Sequence, residues 1–82
     1  MKTISYLAPA RRALRKMQRE TAKRILVKIE AYAADPASQA NNVKALRGRD
    51  GIRLRVGDYR VIMNDRGDVL DIIDVGHRRE IC

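Results

Sequence analysis

The residues best equipped for chemistry are the arginines of the second half of the chain, Arg53, Arg55, Arg60 and Arg78. A guanidinium presents a planar fork of donors that matches a phosphate and keeps its charge at any physiological pH. If the four converge, with Lys44, Arg47 and Arg79 as a rim, they form a site that binds phosphate and stabilises charge developing on it. A solvated sheet face would carry the same residues. His77, the only histidine, stands beside Arg78 and belongs to the one side-chain type whose ordinary pKa lies near neutrality. It is the candidate for proton transfer, although a lone histidine near a terminus is commonly an ordinary surface residue. Asp65, Asp68, Asp71 and Asp74 have the composition of a metal cluster. However, the first two read as turn residues and the last two as opposite in strand parity, so no metal and no cofactor is expected. No glycine-rich phosphate loop and no serine or cysteine triad can be built, and Cys82 has no nearby base other than His77.

The arginines need a hairpin to position them. Ile52–Val56 alternates apolar and polar residues, the period of a half-buried strand. Gly57-Asp58 suits a two-residue turn with glycine first. That turn sets Val56 opposite Tyr59, Arg55 opposite Arg60, Leu54 opposite Val61 and Arg53 opposite Ile62. Ile52, Leu54, Val56, Tyr59, Val61 and Met63 then make a core face, and Arg53, Arg55 and Arg60 occupy the other. Like charges set directly opposite destabilise a sheet, so the guanidinium groups are either fully solvated or offered to an anion. A second turn at Asp65–Asp68 leads to a strand over Val69–Gly76. With Arg66-Gly67 as its two turn residues, Arg60 lies opposite Ile73 and Arg78 comes beside Arg55, a parity that a one-residue bulge would break.

The first half supplies the other layer. Lys2–Leu7 reads as a strand. Pro9 opens a helix with Ala10, Ala13, Leu14 and Met17 at helical spacing. A break near Arg19–Thr21, with Thr21 as N-cap, precedes a second helix whose stripe is Ala22, Ile25, Leu26, Ile29 and Ala33. Asp35-Pro36 ends that helix. Pro36–Asp50 is polar and turn-rich and reads as a loop anchored by Val43 and Leu46. The expected fold is α+β, in the order β-α-α-β-β-β: a small, mostly antiparallel four-stranded sheet with two N-terminal helices packed on one face. The arginine face stays open.

The 82 residues form one domain, 1–82, that buries roughly 60–65% of its unfolded surface. No apolar run is long enough for a membrane span, and Met1–Pro9 lacks the pattern of a signal peptide. A single cysteine suits a reducing cytoplasm. A formal charge of +8 points to an acidic partner: nucleic acid, an acidic protein or an anionic membrane surface. Three tyrosines, with no tryptophan or phenylalanine, are a poor supply for stacking many bases.

Leu46-Arg47-Gly48, the run Ile52–Ile62 and the tail Val75-Gly76-His77-Arg78-Arg79-Glu80-Ile81 resemble the RelE/ParE superfamily of toxins from bacterial and archaeal toxin–antitoxin pairs. The resemblance covers the whole chain in element order and is most specific over the hairpin and tail. It implies the same fold and an acidic antitoxin partner in a hetero-oligomer. The RelE branch implies a ribosome-dependent endoribonuclease that cuts mRNA, and the ParE branch implies poisoning of DNA gyrase. The tail looks more like the RelE branch. By this resemblance Arg60 matches the strand arginine at the scissile phosphate, and Arg78 the tail arginine that stabilises the leaving group. Arg53 stands where a lysine base occurs in some members, Gly51 where some have another lysine, and Cys82 where many end in a stacking tyrosine.

The expected chemistry is attack by an RNA 2′-hydroxyl on its neighbouring phosphate, without a metal. Arg53, Arg55 and Arg60 hold the phosphoryl charge, His77 moves the proton and Arg78 stabilises the leaving oxygen. The ribosome positions the mRNA. The alternatives are a ParE-like gyrase poison and a catalytically weak antitoxin-binding protein.

Overall fold

The computed structural model describes residues 1–81; the expectation that falls on Cys82 lies outside them. Strand β1 (Thr3–Tyr6) is followed by helices α1 (Ala8–Lys16) and α2 (Arg19–Ala34) and a 3-10 turn over Pro36–Asn42. Four further strands follow among the described residues: β2 (Val43–Ala45), β3 (Ile52–Val56), β4 (Tyr59–Asp65) and β5 (Val69–His77). They form one five-stranded sheet in the order β1-β5-β4-β3-β2, antiparallel except where β1 runs parallel to β5.

The α+β architecture is the expected one, with one strand more than the sequence pattern indicates. Val43–Ala45, read there as loop, pairs with Leu54, Arg53 and Ile52. Three residues are too few for alternation to register as a pattern, and the polar run Pro36–Asn42 before them coils into the 3-10 turn that buries Gln39.

Both helices lie on one face. Pro9 sits in the first turn of α1, and Ala10, fully buried, lets that helix approach β5 closely. The chain leaves helical geometry at Met17 and re-enters at Arg19, so Gln18 is the N-cap and Thr21 already lies inside α2. Glu20 in the first turn compensates for the missing side-chain cap by meeting the positive end of the helix dipole. The buried stripe of α2 is Ile25, Ile29, Tyr32 and Ala33, packed on Leu54, Val56, Val61, Met63, Leu70, Ile72 and Val75 of the sheet. The helix ends at Asp35, where Pro36 disfavours further helical backbone.

The β3–β4 register is the one the Gly57-Asp58 turn dictates, from Val56 opposite Tyr59 to Ile52 opposite Met63. Gly57 has φ 58° and, among the described residues, no non-glycine residue has positive φ, so only the first turn position needs glycine. The next turn is displaced by one residue from the expected place. The Arg66 N–H bonds the Val69 carbonyl at 2.9 Å, which makes Gly67-Asp68 the two turn residues, with Gly67 at φ 94°. That displacement alone would set Arg60 opposite Val75; with one further residue absorbed in β5, Arg60 faces Gly76, not Ile73.

Candidate nucleic-acid interface

A bulge in β5 decides which residues reach the open face. Met63 pairs with Ile72, but Ile62 pairs with Asp74, leaving Ile73 as the extra residue. Ile72 and Val75 are both fully buried under the helices, which unbroken alternation forbids for residues three apart. The bulge resolves that conflict by absorbing one residue. It turns Asp74 and Gly76 to the open face and His77 to the helix side. Asp71, opposite Asn64, shares the open face with Asp74, so the two are not opposite in parity as the sequence suggests.

The open face is built in rows. Lys44, Arg53, Ile62 and Asp74 align across β2, β3, β4 and β5, and Arg55, Arg60 and Gly76 form the neighbouring row. Ile62 is only 2% exposed yet lies outside the helix-side core, so it gives the basic row a dry floor. Lys44, Arg53, Arg55 and Arg60 line a small hollow of about 110 Å³ together with Asn41 and Asn42. Among the described residues, none of these four cations meets a carboxylate at ion-pair distance. Asn42 Oδ1 accepts from Arg55 Nη2 at 3.3 Å, and Arg60 Nη1 donates to the carbonyls of Gly57 at 3.0 Å and Tyr59 at 2.9 Å. The Arg60 head is thus braced on its own hairpin while its second terminal nitrogen stays available.

A second hollow, about 510 Å³, adjoins the first: Lys44 and Arg53 line both, and Arg47 and Arg49 extend the basic wall. Asn41, Asn42 and Arg49 are the lining residues that sequence reasoning missed. The only signal for the asparagines was their doublet before Val43, since the 3-10 turn that aims them follows no hydrophobic pattern.

The tail candidates stand apart from this face. His77 pairs with Tyr59 across the strands, and the two rings meet edge-on with centroids 5.5 Å apart. Both line a crevice of about 880 Å³ against Pro9, Arg12 and Lys16 of α1. Beyond His77 the chain turns back. The N–H groups of Glu80 and Ile81 bond the His77 carbonyl at 2.8 and 3.0 Å, and the Arg78 N–H bonds the Asp58 carbonyl at 2.7 Å. Arg78 Nε lies 3.9 Å from Asp58 Oδ1, an exposed pair of little energetic weight. So the structure gathers Lys44, Arg47, Arg53, Arg55 and Arg60 along one basic track and holds His77, Arg78 and Arg79 in a corner turn. Among the described residues no group of histidine, cysteine and carboxylates is arranged to hold a metal.

The family described as "ParE toxin of type II toxin-antitoxin system, parDE" matches residues 4–82. The chain belongs to that toxin family. Solved structures of the RelE kind share its fold. The archaeal RelE–RelB complex from Pyrococcus horikoshii OT3 is similar at TM-score 0.75 and 25% identity, over 94% of each chain. The RelBE2 toxin–antitoxin complex of Mycobacterium tuberculosis is similar at TM-score 0.62 and 29% identity, over 94% of this chain and 98% of that one. The intact RelBE complex of E. coli matches at TM-score 0.70 and 24% identity, over 94% of this chain and 96% of that one, which shows the fold. Comparison with curated proteins gives no significant match. This RelE/ParE-superfamily toxin is therefore ParE-like by family and RelE-like by solved neighbours. Among its described residues no helix is long and apolar enough to cross a membrane.

Proposed function

We propose that this toxin is an endoribonuclease that cuts mRNA on the ribosome, with the open arginine face as its phosphate site. The observation that carries the reading is the pair of adjoining hollows that share Lys44 and Arg53. The smaller one is below the size of a small-molecule pocket and suits a single phosphoryl group between Arg53, Arg55 and Arg60. The larger one continues the positive wall past Arg47 and Arg49, as successive phosphates of a strand require. The 2′-oxygen of the substrate bonds to phosphorus, the bond to the 5′-oxygen breaks, and one proton passes in net from the first oxygen to the second. Arginines fixed in place before reaction stabilise the extra negative charge on the phosphoryl oxygens. With no tryptophan or phenylalanine to stack bases, the chain relies on the ribosome to hold the mRNA.

The partner is an acidic antitoxin. The +8 charge supports this, as does a shallow apolar hollow of Leu14, Met17, Ala22 and Leu26 between the outer sides of α1 and α2, flanked by Arg15, Arg19 and Lys23. An acidic amphipathic segment fits such a surface. The solved neighbours from Pyrococcus horikoshii and Mycobacterium tuberculosis are themselves toxin–antitoxin complexes.

Gyrase poisoning is the second reading, favoured by the ParE family match. A pulse of toxin expression followed by primer extension on abundant mRNAs separates the two. Cleavage within reading frames, dependent on translation, is expected. Intact mRNA with gyrase-linked double-strand breaks in plasmid DNA would sink the ribonuclease reading and leave the poison.

A further inference from the structure

His77 has a role that its position makes unlike that of a proton carrier. The bulge sends its side chain to the helix side of the sheet, whereas Arg53, Arg55 and Arg60 point to the open side. A general base has to come within hydrogen-bond reach of the proton it takes, directly or through one water. The imidazole is instead engaged with its own chain: Nδ1 accepts the Arg79 N–H at 3.2 Å. Its carbonyl accepts two more N–H groups, from Glu80 and Ile81. The ring edge rests on Tyr59, and Ile81 folds back until its Cγ2 lies 3.2 Å from where a Cβ on Gly76 would be. Gly76 in turn pairs with Arg60. All these contacts fix one thing, the path of the backbone through Arg78.

We propose that His77 is a positioning residue: its Nδ1 caps the Arg79 N–H and holds the tail turn in the shape that keeps Arg78 against Asp58, at the turn of the hairpin that carries the arginines. The inference rests on the ribonuclease reading for the importance of Arg78, but the turn itself can be measured without it. The atom that matters is a single acceptor at the Nδ1 position. Asparagine places its Oδ1 close to that position and cannot carry protons, glutamine places its polar end near Nε2, and alanine offers nothing.

The test compares wild type, His77→Asn, His77→Gln and His77→Ala by amide hydrogen exchange at Arg79 in the free toxin and by single-turnover cleavage on programmed ribosomes. Asparagine should keep the Arg79 amide protected and the cleavage rate within a few-fold of wild type. Alanine and glutamine should lose the protection, and their rates should fall by up to about 100-fold, the scale expected when a reacting group is misplaced by an ångström. His77→Ala combined with Arg78→Ala should be little worse than Arg78→Ala alone, because the histidine acts through that arginine. A protected amide with an inactive His77→Asn toxin would overturn the proposal in favour of direct proton transfer. Equal amide exchange in all four proteins would also overturn it. If wild type itself cleaves nothing, the ribonuclease reading falls and the exchange data alone decide the turn.

Discussion

The Tyr32 hydroxyl donates to Asp65 Oδ2 at 2.8 Å, joining the buried side of α2 to the end of β4. Lys2 Nζ lies 3.1 Å from the other carboxylate oxygen, which also accepts the Gly67 N–H at 2.9 Å. Burial alone raises the Asp65 pKa, but the bonds from Gly67, Tyr32 and Lys2 outweigh it and hold the group below the usual carboxylate range. Burial, then the bond to Asp65, pushes Tyr32 up to about 12. A carboxylate with a depressed folded pKa stabilises above its unfolded value near 3.9, and that stability is lost as pH falls through the folded value. A phenol with a raised pKa stabilises fully below its unfolded value near 10, and that stability is lost as pH rises towards 12. Tyr32→Phe should therefore cost about 1 kcal/mol at neutral pH, from the lost hydrogen bond. It should also flatten the alkaline limb of the stability curve. Urea titrations from pH 3 to 11 measure both limbs. An alkaline limb unchanged in Tyr32→Phe would show that this pair does not set it.

Arg60 offers a separation of function from fold. Its head braces two carbonyls of its hairpin, so Arg60→Ala should lower thermal stability only slightly. Translation arrest should fall by roughly 100- to 1,000-fold, the usual loss when one donor to a developing oxyanion is removed. Arg60→Lys should not restore it, since one ammonium cannot brace both carbonyls and reach a phosphate as a fork does. Ile29→Asp, by contrast, places an unpaired carboxylate at a fully buried site under α2 and should unfold the domain. Thermal melts of the three variants, set beside a translation assay, make the comparison. Equal loss of stability in Arg60→Ala and Ile29→Asp would remove Arg60 from the open face.

Gly76 is where the tail rests on the sheet. A methyl there would meet Ile81 Cγ2 at 3.2 Å, and the side chain that must yield is half-buried just after the tail turn, not part of the core. Gly76→Ala should leave the melting temperature within a few degrees of wild type while shifting the turn that carries Arg78. Faster amide exchange at Glu80 and Ile81, whose N–H groups both bond the His77 carbonyl, is the expected signature. Unchanged exchange at both would mean that Ile81 is not holding the turn.

Strong periodic signals made the hairpin, the open arginine face and the Ile25, Ile29 and Ala33 stripe of α2 legible in the sequence, while Tyr32 joins that stripe and Ala22 and Leu26 are only half-buried. Ile52–Val56 alternates, and Gly57-Asp58 fixes its register with β4 because glycine alone relieves the positive φ there. The remainder turned on single residues. One residue displaced the Gly67-Asp68 turn, and one extra residue, Ile73, reversed the parity of everything after it. A bulge has no composition of its own. Its trace was the run Ile72-Ile73-Asp74-Val75, in which unbroken alternation would put either Ile72 or Val75 in water. That is why Arg53 and Arg60 were readable as neighbours, while His77 next to Arg78 in the chain turned out to face away from them.

The salt dependence of RNA binding tests the length of the basic track. A single phosphate held by Arg53, Arg55 and Arg60 releases about one counterion, giving a slope of log affinity against log salt near −0.7 for a single strand. A strand that also follows Lys44, Arg47 and Arg49 into the second hollow neutralises several phosphates. With about four contacts the slope steepens to roughly −3. Arg49→Ala and Arg47→Ala lie on the far wall of the larger hollow, away from the Arg60 hairpin. Each should reduce the steepness by about 0.7, weaken short single-stranded RNAs of any sequence alike, and leave thermal stability unchanged. Fluorescence anisotropy with an uncleavable 2′-deoxy-substituted oligonucleotide, titrated from low to moderate salt, gives the slope for each variant. A wild-type slope near −0.7 would confine the site to the small hollow and take Arg47 and Arg49 out of the interface.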